Sequence, residues 1–92
     1  MDDTDILERT YANMKQIDSF FNGPEYQILI DMSIASTPTN KTAAECIINQ
    51  IDLIDASIDF FTEKRHWSRC YGESVKLVTI LRECVDKKYN PV

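Results

Sequence analysis

The chain is poor in residues that interrupt regular structure: its 92 residues include two glycines, Gly23 and Gly72, and three prolines. That scarcity argues against a turn-rich all-β fold and favours long regular elements. A single histidine, His66, leaves a multi-histidine metal centre without its ligands. The three cysteines, Cys46, Cys70 and Cys84, are odd in number and form no Cys-x-x-Cys pair, which points to reduced thiols rather than a disulfide framework. No apolar run approaches the ~18 residues of a membrane span. The acidic start MDDTDILERT has neither the positive nor the apolar region of a signal peptide. The expectation is a cytoplasmic protein that does not enter a membrane.

Cations are also scarce over the first two thirds of the chain. Residues 1–63 set twelve carboxylates against Arg9, Lys15 and Lys41, a net of −9, whereas residues 64–92 carry a net of +4. The total of −5 argues against nucleic acid as a general partner. A split of this kind builds a field that can orient a partner or a second copy. With 43% hydrophobic and 27% charged residues, the composition is that of one globular domain spanning residues 1–92, not of a disordered chain.

Four helices follow from the apolar spacing, at about residues 5–22, 24–36, 42–64 and 67–89. In the first, Leu7, Tyr11, Met14, Ile17 and Phe21 make a helical stripe, Asp5 with Glu8 fits a capping box, and Asn22-Gly23-Pro24 closes it with a left-handed glycine. Residues 26–34 alternate like a strand, one that a second copy could pair, yet they also form two helical faces. The reading chosen is a short central helix opened by Pro24. Residues 36–41 have the composition of a loop, and Thr42 with Glu45 fits a second capping box.

The third helix has the clearest pattern. Ala44, Ile47, Ile51, Ile54, Ile58 and Phe61 form a heptad-like seam, and the next seam, Trp67, Cys70, Tyr71, Ser74, Leu77, Val78, Leu81, Cys84 and Val85, is out of phase with it. That break predicts a tight connection between antiparallel helices, in preference to one long helix kinked at Gly72. The expected fold is all-α, a small antiparallel four-helix bundle.

Three constellations on this frame are candidate sites. Glu45, Asp52, Asp55, Asp59 and Glu63 share one side of the third helix, a one-sign stripe about 27 Å long with no lysine or arginine inside it. It is either a solvated face or a landing strip for a basic protein surface. A second apolar row, Cys46, Leu53 and Phe60, lies away from the isoleucine seam and is either covered by the second helix or used for self-association. Lys64, Arg65, Trp67 and Arg69 crowd the predicted turn and could take an anion or a nucleotide. His66 and Cys70 lack further metal ligands, and nothing sets up a nucleophile with its base. No metal, no cofactor and no enzymatic activity are expected.

In length, acidity and helical content the chain is similar to small bacteriophage inhibitors and bacterial immunity proteins, a resemblance of overall character without a shared motif. The acidic stripe makes the leading expectation a stoichiometric protein-binding module, an inhibitor or adaptor acting on a basic protein surface, as such proteins do, in some cases by nucleic-acid mimicry. The alternatives are a homodimeric structural or regulatory protein and a small anionic-ligand or nucleotide binder working through residues 64–69.

Overall fold

The computed structural model describes residues 3–35 and 38–87, and these form four helices: α1 (Asp3–Phe21), α2 (Pro24–Ala35), α3 (Pro38–Glu63) and α4 (Trp67–Lys87). The expected all-α bundle is what the chain forms. Two of its expected features, the loop residues Ser36 and Thr37 and the end of the fourth helix at 88–89, lie outside the described residues.

The core is a single cluster drawn from all four helices. Ile17 and Phe20 come from α1, Leu29 and Met32 from α2, Ala44, Ile51 and Ile58 from α3, and Leu77, Val78, Leu81 and Cys84 from α4. The two seams read from the spacing therefore face each other across the α3–α4 hairpin. Cys70 and Cys84 are buried, as small hydrophobes on a seam should be, whereas Cys46 is exposed; none of the three is in a disulfide.

The hairpin turns on three residues, and its hydrogen bonds explain how. His66 N–H donates to Phe61 O at 3.0 Å and Arg65 N–H to Thr62 O at 3.1 Å, the paired bonds of a Schellman cap. The cap needs a left-handed residue, and Arg65 supplies it at φ 57° in the position that glycine usually holds. The apolar contact that accompanies such a cap is the edge-on packing of His66 against Phe61, with ring centroids 6.4 Å apart. α3 therefore stops at Glu63, and the long kinked helix is not formed.

α1 and α2 meet differently. No glycine among the described residues has a positive φ, so the expected left-handed cap at Gly23 is not what ends α1. Gly23 is needed for close approach: a Cβ there would stand 3.0 Å from the Ser19 carbonyl oxygen. Pro24 opens α2, where its fixed φ and missing N–H suit the first turn. Phe20, Phe21 and Tyr26 pack edge to face across the corner at 4.9–6.3 Å between ring centroids.

α3 and α4 form an antiparallel hairpin. α1 lies along α4 in the same sense, with Asn13 bonded to Ser74 and Gln16 close to Arg82. Buried Ser74 is satisfied on both sides, accepting from Asn13 Nδ2 at 3.1 Å and donating to Tyr71 O at 2.7 Å.

Four local expectations change. α3 begins at Pro38, so residues 38–41 are helical and Thr42–Glu45 lie inside the helix instead of capping it; Pro38 itself is a good first-turn residue. α1 begins at Asp3, ahead of the expected Asp5–Glu8 box. In α1 the expected stripe holds at Met14, Ile17 and Phe21, which pack in or against the core together with Phe20, whereas its first members, Leu7 and Tyr11, are left exposed. α2 is peripheral, since it packs mainly on α3, and Ile34 on its outer side is 73% exposed.

Candidate functional site on the outer face of the third helix

α3 has 26 residues, about 39 Å of helix at 1.5 Å per residue. At 100° per residue, Leu53 and Phe60 project from the side opposite Ile51 and Ile58. The structure leaves that side bare. Leu53 is 70% exposed, Phe60 55%, and Cys46 lies exposed on the same line. α2 packs on α3 without covering this row, so the account in which the second helix shields it does not hold.

The two neighbouring phenylalanines separate as their positions require. Phe61 is half-buried beside His66, while Phe60 turns outward and meets Phe61 only edge-on, at 5.4 Å between centroids. Lys64 Nζ lies 5.8 Å from the Phe60 ring centre, and the Arg69 guanidinium carbon 5.4 Å from that of Phe61. Two of the cations at the turn thus rest on aromatic faces. Arg65 is exposed in the cap, and half-buried Trp67 begins α4.

The acidic stripe flanks the bare row. Glu45, Asp52, Asp59 and Glu63 are exposed, whereas Asp55 is half-buried. Partial burial, then the charges of Asp59, Asp52 and Asp18, raises the Asp55 carboxyl above the ordinary aspartate value. The Tyr26 hydroxyl is also raised, first by burial and then by Asp52 and Asp55. Asp18 of α1 and Tyr26 of α2 therefore belong to the same electrostatic patch. Sequence reasoning missed both because they lie on other helices, and no spacing along one helix reports a neighbour on another.

Among the described residues no cation forms an ion pair with this patch. Lys76 pairs instead with Glu73, at 3.2 Å within α4. Among the described residues no group of three or more His, Cys, Asp or Glu side chains could hold a metal ion, and no helix is long and apolar enough to cross a membrane.

The resulting surface has two aliphatic and aromatic anchors, Leu53 and Phe60, bordered along one flank by like charges. An arrangement of this kind can bury an apolar group while its rim selects the partner's charge. No protein-family model matches the chain, and no curated protein or solved structure is similar enough to match it.

Proposed function

We propose that the protein is a stoichiometric binding module, an inhibitor or adaptor, that docks the outer face of α3 onto a basic surface of a partner protein. The observation that carries this reading is the uncovered Leu53–Phe60 row beside an acidic stripe without a counter-charge among the described residues. The partner would insert an apolar side chain against Leu53 and Phe60 and set lysines or arginines against Asp52, Asp55 and Asp59. Action in the reducing cytoplasm fits three cysteines that form no disulfide.

The test uses charge. Protein captured from a native lysate by the wild type should be lost by a folded Asp52→Lys, Asp59→Lys variant and kept by Lys76→Ala on the far side. With the captured partner purified, its association rate should fall steeply as salt rises. A folded double variant that retains the same partner at the same rate would end the reading.

A second reading is favoured by the line of Cys46, Leu53 and Phe60 itself: a homodimer through this row. A helical face repeated on a second copy is self-complementary about a two-fold axis. Light scattering across micromolar concentrations distinguishes the two, since the dimer should dissociate in Leu53→Asp, whereas a constant monomer mass leaves the row to a different protein.

A further inference from the structure

A second surface, remote from the outer face of α3, collects donors that the fold does not use. A groove of about 410 Å³ runs between α1 and α4, with Arg9 on one wall and Tyr71, Val75, Val78 and Arg82 on the other. Two of its polar groups are already engaged: Asn13 Nδ2 donates to Ser74 Oγ, and Thr79 Oγ1 donates to Val75 O at 2.9 Å. The other donors are spare. Neither the Arg9 guanidinium nor the Tyr71 hydroxyl has a hydrogen-bond or ion-pair partner among the described residues. Arg82 has one long contact, 3.5 Å to Gln16 Oε1.

In a protein of net charge −5, two arginines in a groove whose lining holds no Asp or Glu form a local positive site. Asp5 lies one helical turn before Arg9 in α1, and Glu25 and Asp86 line the adjoining groove on the other side of Arg82, around Phe20, Leu81 and Val85. The volume suits a small ligand. Val75 is 40% exposed and Val78 forms the deeper floor, so an apolar body has a place to lie while its anionic end meets the arginines.

We infer that the α1–α4 groove binds a small phosphate monoester carried on an apolar or aromatic group. A dianion has a charge for each guanidinium, and its oxygens match the fork of N–H donors that arginine presents. The Tyr71 hydroxyl supplies a further donor, and Val75 and Val78 distinguish an organic phosphate from the inorganic ion. The site shares no residue with the outer face of α3 and stands whether or not that face binds a protein.

The experiment is an NMR titration of the labelled full chain, at low ionic strength, with phenyl phosphate, inorganic phosphate and benzoate in separate arms. Phenyl phosphate should shift the signals of Arg9, Tyr71, Val75, Val78 and Arg82 saturably, and should bind about tenfold more tightly than either of the other two. Arg9→Gln and Arg82→Gln, both at exposed positions, should keep the wild-type helical circular dichroism and each weaken phenyl phosphate about tenfold. No saturable shift, shifts centred on residues 64–69, equal binding of benzoate, or full affinity in both variants would each overturn the assignment.

Discussion

Ile51 and Leu53 stand two residues apart on α3; the first is fully buried and the second 70% exposed. Both belong to rows with helical spacing, Ala44–Ile51–Ile58 inside and Cys46–Leu53–Phe60 outside. α4 repeats the contrast. Ser74 is sealed in the core and hydrogen-bonded on both sides, while an added Cβ at Gly72, two residues earlier, would meet nothing within 4 Å. Apolar character alone does not decide which row is core. The deciding factor is which side another helix reaches, and α2, the one helix free to cover the outer row, is spent on the α3 side that contributes Ala44 and Ile51.

The largest expected effect tests the inner row against the outer. Ile51→Ala should cost about 2–5 kcal/mol in denaturant unfolding, the loss of a buried aliphatic side chain plus the cavity it leaves. Leu53→Ala should stay within about 0.5 kcal/mol of wild type. Equal losses at the two positions would break the comparison.

α4 gives an intermediate effect with opposite signs. Ser74→Ala should destabilise by about 1–3 kcal/mol, because it strands the Asn13 amide in a half-buried position. Gly72→Ala should stabilise by about 0.5–1 kcal/mol, since it relieves the helical cost of glycine without a clash. Chemical denaturation of both variants measures the pair directly. A similar gain is expected at the turn: Arg65→Gly should stabilise by about 1 kcal/mol, because glycine holds φ 57° without strain from a Cβ.

The smallest effect lies on the flank between the rows. The Asp55 carboxyl is raised above the ordinary 3.8, so the native state holds its proton more tightly than the unfolded state does. Its contribution is fully present below that unfolded value and is lost as pH rises through the folded value. Asp55→Asn should therefore be slightly more stable than wild type at neutral pH, with the advantage shrinking on acidification. Paired thermal melts across the acid range would show the two curves converging, and curves that diverge toward low pH would reverse the sign.

Much of this architecture was legible in the residues. The isoleucine seam of α3, the seam of α4 and the phase break between them located the hairpin because each seam is long and periodic. Pro24 marked the start of α2. What could not be read depends on tertiary choice. Leu7 and Tyr11 fit the same helical stripe as Met14, Ile17 and Phe21, and spacing alone does not say that the core reaches only the later residues. Ile34 looked central because α2 is apolar on two sides; Leu29 on one side and Met32 on the other are buried, yet Ile34 near the helix end is left exposed. Arg65 offered no signal for a left-handed cap, a place that glycine would have announced. At the candidate site, the stripe and the bare row were visible along α3, whereas Asp18 and Tyr26 joined only through folding, as did the pairing of Arg9 with Arg82 across a groove.

The central claim is that the outer row of α3 serves binding and not stability, and one double variant tests both halves. Leu53→Ser with Phe60→Ser removes the two anchors and leaves the inner row intact. Thermal unfolding and quantitative capture from lysate would be measured on the same preparation. The account predicts a melting midpoint close to wild type together with loss of the protein that wild type captures. A collapse of the midpoint would make the row part of the core, and an unchanged capture profile in the folded variant would show that the face binds nothing.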